Sequence, residues 1–190
     1  YGLWGVSASS LWAVGIGGTG SVLVGNGTNL SAQAVTLNSS LRGGFSKSAT
    51  EAWAVGTLGT IARWNGTTWT KQVSGTTNDL ISAWGDSATS IWAVGGLGTI
   101  LKWNGTTWTA QTSGTTRYLN GVFGIDAANV WAVGDQGTIL KWNGTAWTAQ
   151  VSGTTETLNS IWGTAADKLW AVGTGGTILQ WNGTTWTKQT

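Results

Sequence analysis

The sequence predicts an all-β protein, a five-bladed β-propeller of four-stranded antiparallel blades with about 39 residues per repeat, and three observations carry the prediction. The tetrapeptide WAVG begins at Trp12, Trp53, Trp92, Trp131 and Trp170, with spacings of 41, 39, 39 and 39 residues. The triplet WNG begins at Trp64, Trp103, Trp142 and Trp181, always 39 residues apart. Within each period, short runs of Trp, Val, Ile and Thr are divided by Gly, Asn or Asp, and no helical spacing of apolar residues persists. Radial packing buries both faces of a blade, which suits strands that are apolar on both sides. A β-sandwich would have no reason to repeat at 39 residues.

The repeats divide the chain into blades at approximately 1–39, 40–78, 79–117, 118–156 and 157–190. The first carries a two-residue insertion around Gly17 to Gly20 and has Gly25-Asn26-Gly27 where the others have WNG. Gly98 to Thr116 matches Gly137 to Thr155 at all but two positions, Thr107/Ala146 and Thr112/Val151, as duplication of one unit would leave them. The fourth repeat shows the strands in order: Leu119 to Gly124, Val130 to Gly134, Thr138 to Asn143, and Ala146 to Ser152. Between the last two, Asn143-Gly144 tolerates positive φ and predicts a two-residue hairpin turn, recurring at 26, 65, 104 and 182. After Thr190 the repeat would re-enter at Tyr1 through one seven-residue loop. The expectation is therefore a closed ring, sealed by side-chain packing between the first and last blades with no strand exchanged. A chain that begins at Tyr1 and contains no Met is expected to be a processed or excised piece.

Composition then removes function classes. There are 31 Gly and 16 Trp but no Pro, Cys, Met or His, so Cys/His zinc sites, thiolate nucleophiles, disulfides and His-based triads have no residues to build them. No metal or other cofactor is expected. Nine basic residues against seven acidic give a net charge of +2 with no Lys/Arg stripe, which argues against nucleic acid as a partner. The apolar runs are strand-sized, so no membrane span is expected. The Gly-rich stretch from Gly15 to Gly20 lacks the Gly-Lys-Ser/Thr ending of a phosphate loop. The acids are scattered through different repeat offsets, unlike a glycosidase pair, and no enzyme activity is expected.

The run VWAVGDQGTILKWNGTAWTAQ, Val130 to Gln150, resembles the Trp-rich propeller repeats of secreted bacterial proteins. These are related to the photosystem II assembly-factor type and, more distantly, to Asp-box repeats. The run is also similar to tectonin and tachylectin lectin repeats. The resemblance implies a blade, a bacterial origin and a secreted or cell-surface location, but no catalytic residue. Asp-box turns carry Asp where this chain has Asn26, Asn65, Asn104, Asn143 and Asn182.

Two binding surfaces are expected. Most Trp side chains are expected to fill the wedges between blades. The turn-adjacent set Trp64, Trp103, Trp142 and Trp181 is the one expected to stay exposed, stacking on sugars beside Asn65, Asn104, Asn143 and Asn182. Multivalent, lectin-like carbohydrate recognition is the leading function, with avidity supplied by repetition. The N-G-T triplets are also formal glycosylation acceptors, as are those starting at Asn29 and Asn38, although tight turns account for the Asn-Gly steps without glycans. The alternative is a structural, adhesion or protein-interaction propeller, part of a longer or self-assembling repeat protein. For that reading the second surface matters. In an up-down blade the loops from strand two to three and from strand four to the next blade emerge on one face. Asp79, Arg117, Tyr118, Asp135, Gln136 and Glu156 thus share a variable rim, where a ligand or protein partner would meet loops held by a rigid scaffold. Lys102, Lys141 and Arg63, with Gln180 at the same offset, are expected to point to solvent and discourage edge aggregation.

Overall fold

The structure, a computed structural model, describes residues 2–15, 21–25, 28–33, 35, 37 and 39–189. It is a five-bladed β-propeller of four-stranded antiparallel sheets, each made of strands consecutive in sequence. Blade 1 comprises β1 (Gly2–Ser7), β2 (Ser10–Gly15), β3 (Ser21–Gly25) and β4 (Leu30–Gln33). Blade 2 comprises β5 (Leu41–Ser48), β6 (Glu51–Gly56), β7 (Ile61–Trp64) and β8 (Trp69–Gln72). Blade 3 comprises β9 (Leu80–Ser87), β10 (Ser90–Gly95), β11 (Ile100–Trp103) and β12 (Trp108–Gln111). Blade 4 comprises β13 (Leu119–Asp126), β14 (Asn129–Gly134), β15 (Ile139–Trp142) and β16 (Trp147–Gln150). Blade 5 comprises β17 (Leu158–Ala165), β18 (Lys168–Gly173), β19 (Ile178–Trp181) and β20 (Trp186–Lys188). The first strands of successive blades lie against one another and form the inner wall. Among the described residues no helix is long and apolar enough to cross a membrane.

The WAVG strands build the interfaces. The Trp and Val of blade 3, Trp92 and Val94, with Ile100, enter a pocket made by blade 4, where Val130, Ala132, Leu140, Trp142 and Trp147 are buried. Trp92 meets Trp142 at 5.0 Å and stands edge-on to Trp147 at 5.1 Å, and Trp53 repeats the arrangement with Trp103 and Trp108. Offset and edge-on rings bring the electron-poor rim of one indole to the electron-rich face of another. The glycine that ends WAVG is required by close approach. A Cβ at Gly95 or Gly134 would lie 1.9 Å from the carbonyl oxygen of Asp79 or Tyr118, at the start of the same blade's first strand.

Three expectations are corrected. Between β7 and β8 the loop has four residues, Asn65 to Thr68, and the Trp64–Trp69 pair closes the ladder behind it. Asn65 Oδ1 accepts from the amides of Thr67 and Thr68 at 3.0 and 2.9 Å, so the side chain shapes a wider turn than the predicted two-residue one. The Asn26 turn and the Gly17 to Gly20 insertion lie outside the described residues. Arg63, Lys102 and Lys141 do not simply face solvent. Lys102 Nζ lies 4.8 Å from the Trp92 ring and 5.1 Å from Trp142 of the next blade, and Arg63 and Lys141 sit likewise. A cation between two indole faces is held by their quadrupoles.

The expected ring closure is the third. Among the described residues four cores join blades 1–2, 2–3, 3–4 and 4–5, and none joins blade 5 to blade 1. Among the described residues the seam between the end blades therefore has no shared core.

Candidate functional site

The first strands place the variable side chains. Leu41, Leu80, Leu119 and Leu158 recur at 39-residue spacing and are fully buried. Because side chains alternate along a strand, the residues flanking each Leu turn away from that core, toward the mouth at one end of the inner wall. These flanking residues differ between blades: Ser40 and Arg42, Asp79 and Ile81, Tyr118 and Asn120, Thr157 and Asn159. Five of them, Arg42, Asp79, Ile81, Tyr118 and Asn120, line a concavity of about 430 Å³ across blades 2, 3 and 4.

Within it Arg42 pairs with Asp79 at 3.5 Å, both groups partly exposed. Asp79 also accepts from the backbone N–H of Leu58 at 3.0 Å through its other oxygen. Asn120 Nδ2 donates to Asp135 Oδ1 and to the Leu158 carbonyl, each at 3.1 Å. Thr157 Oγ1 reaches the same Asp135 oxygen at 3.4 Å, so the polar chain continues into blade 5. Tyr118 lies over Gly96. The first position of the loop between β10 and β11 thus carries no side chain, where the equivalent positions hold Thr57, Asp135 and Thr174.

The same loops hold exposed apolar residues in an unusual conformation. Leu58 and Leu97 have φ of 54° and 53°, as does Gln136 at 53°, and the two leucines are 69% and 62% exposed. A bulky residue in the left-handed region costs about 1–2 kcal/mol, which the surrounding loop must offset. Holding an apolar side chain in water at such a position gives a partner something to cover.

The six rim residues expected from the sequence do lie on one face, but they split. Asp79 and Tyr118 line the mouth, and Asp135 supports it through Asn120. Arg117 Nη1 instead donates to the Gln136 carbonyl at 3.3 Å and to Thr138 Oγ1 at 3.4 Å, on the wall of an outer groove of about 1070 Å³. Glu156 accepts from Thr174 Oγ1 at 2.5 Å. The outer groove runs beneath the loop between β12 and β13, and smaller grooves follow the loops after β8 and β16. In each loop a Ser hydroxyl, Ser74, Ser113 or Ser152, donates to the carbonyl two residues on, so the polar groups there serve their own turns. Arg42 and Asn120 were missed because they sit inside strand one; alternation from the invariant Leu would have found them.

The expected sugar-stacking set is not exposed. Trp64, Trp103, Trp142 and Trp181 are only 8%, 4%, 5% and 4% accessible. Their Nε1–H groups donate to the carbonyls of Ala49, Ala88, Ala127 and Ala166 at 3.0–3.2 Å, pinning the hairpin between the first two strands of each blade. Asn65, Asn104, Asn143 and Asn182 are exposed, but each Oδ1 accepts two backbone amides of its own turn. This set lies on the face opposite the rim. Packing against the preceding blade took the indoles that the repeat pattern left available.

No protein-family model matches the sequence, and no curated protein does. Solved structures match the fold. YCF48 bound to D1 peptide is 17% identical, with 97% of this chain and 64% of that chain covered and a TM-score of 0.72. YCF48 from Cyanidioschyzon merolae is 19% identical over 96% of this chain and 67% of that one, at 0.71. The RRP9 WD40 repeats are 10% identical over 100% of this chain and 64% of that one, at 0.80. The chain thus spans about two thirds of the length of the propellers it matches.

Proposed function

We propose that this chain is a non-enzymatic protein-interaction module that takes a peptide segment of its partner at the mouth lined by Arg42, Asp79, Tyr118 and Asn120. One observation carries the reading: five first-strand side chains that differ from blade to blade, Arg42, Asp79, Ile81, Tyr118 and Asn120, converge on one concavity, while the turn-adjacent Trp and Asn that repeat are buried or tied into their own turns. The mouth offers a cation, a carboxylate, a phenol and an amide, flanked by exposed Leu58 and Leu97. A peptide carries the complementary groups, backbone N–H and C=O with apolar and acidic side chains, in one extended ligand. The likeness to YCF48, seen bound to a peptide, supports this class of ligand. Carbohydrate recognition loses its stacking surface with the burial of the four indoles. The secreted or cell-surface setting belongs to this proposal as well.

The test is selection of random displayed peptides on the chain, with affinities measured by fluorescence anisotropy. Arg42→Gln and Tyr118→Ala should weaken selected peptides about tenfold or more, equal to about 1.4 kcal/mol, and Asn104→Ala on the opposite face should leave them unchanged. Peptides indifferent to the rim substitutions, or a monovalent sugar bound at several equivalents per chain, would overturn the reading.

A further inference from the structure

The last blade exposes apolar surface that its internal counterparts bury. Val172 and Ile178 are 42% and 44% exposed, whereas Val133 and Ile139, 39 residues earlier, are 0% and 1%. Trp162, on the inner strand, is 59% exposed. The rings at its position in blades 1 to 3, Trp4, Phe45 and Trp84, lie on glycines of the next blade, where a Cβ on Gly44, Gly85 or Gly124 would come within 2.3, 3.0 or 2.6 Å of them. Trp162 has no following blade to lie on.

Blade 1 presents the other half of that contact. Gly5 follows Trp4 as Gly85 follows Trp84, and it is exposed, as are Leu3 at 71% on the same strand and Leu30 at 56% on the outermost strand of the same blade. By strand register Leu3 stands where blade 4 has Val122, and Leu30 where it has Trp147, both buried by the preceding blade. The two ends are therefore the knob and the seat of the interface already repeated four times inside the chain.

We propose that these two faces seat two further blades of the same repeat, carried on the same polypeptide, which complete a ring of seven. The number follows from curvature. The arc superposes over 96–100% of its length on propellers of which it spans 64–67%, so five blades follow the curve of a ring with room left for more. Anything those chains hold outside the ring counts toward the unmatched third, which keeps the gap below three blades. Two whole blades fill it, and seven lies within the usual four to eight. A second copy would bring ten, outside that range. Closure of the five on themselves needs end faces to meet that do not meet here.

The test compares the 1–190 chain with forms extended after Thr190 by one, two and three copies of residues 118–156. Readouts are anilinonaphthalene sulfonate fluorescence, mass by sedimentation, and the urea midpoint. The 1–190 chain should bind the dye. With two added blades the signal should fall severalfold and the midpoint rise sharply, and a third blade should restore dye binding. Val172→Lys should lower the midpoint of the two-blade extension and leave that of the 1–190 chain unchanged. A 1–190 chain that binds no dye, as a monomer closed on itself or as a dimer, overturns the proposal, and so does a dye minimum at one or three added blades. Peptide binding at the rim is read separately and does not enter these outcomes.

Discussion

Truncating Trp92 tests whether the interblade wedges hold the fold, and truncating its counterpart Trp170 tests whether the seam is open. Trp92 is fully buried, meets Trp142 and Trp147, and lies under Lys102. Burying an indole removes about 150–250 Å² from water, about 4–6 kcal/mol at 25 cal/mol per Å². The two ring contacts add about 0.5–1.5 kcal/mol each. Against this, the Trp92 Nε1–H is buried with no acceptor, and deleting it returns about 1–3 kcal/mol. The ring contacts and the returned N–H nearly cancel, so Trp92→Ala should cost about 4–6 kcal/mol, at the upper end of large-to-small core changes. Trp170, partly exposed and without the two ring contacts, should cost less than Trp92, about 2.5–4 kcal/mol on the same area scale. Urea unfolding of the 1–190 chain, followed by far-ultraviolet circular dichroism, reads both. Equal losses at the two positions would refute the open seam, and an unchanged midpoint for Trp92→Ala would refute the wedge as core.

Two other outcomes are expected. Lys102→Gln, which reproduces Gln180 of the last blade, should cost about 0.5–2 kcal/mol through loss of the cation between Trp92 and Trp142, and a midpoint unchanged in urea would show the ammonium contributes nothing. The amides of Ala128 first, then the Asn129 side chain and amide, hold the Asp126 carboxyl below its ordinary value of 3.8. A depressed value in the folded state means a contribution fully present above the ordinary carboxylate value and lost as pH falls through the folded one. The midpoint difference between wild type and Asp126→Asn should then be constant near neutrality and change only in strongly acidic urea titrations; a difference independent of pH down to acid unfolding would contradict it.

Periodicity decided much of this protein before any tertiary contact entered. The 39-residue recurrence of WAVG and WNG, with turn residues between short β-forming runs, fixes four strands per unit and five units. Strand existence depends on local pattern, and the pattern repeats. The same logic grouped Asp79, Tyr118 and Asp135 on one face, since up-down connections alternate between two ends. What depends on the neighbouring blade was not legible. Trp103 and Trp92 look alike as letters, and only the packing shows that one enters the next blade while the other receives the preceding blade and donates its N–H to Ala88. The seam was invisible for the same reason: the phase of the repeat is identical in an arc and in a ring. Whether blade 5 meets blade 1 depends on the rotation between adjacent sheets, summed over every interface, and that angle is set by side-chain volume in three dimensions, not by spacing along the chain.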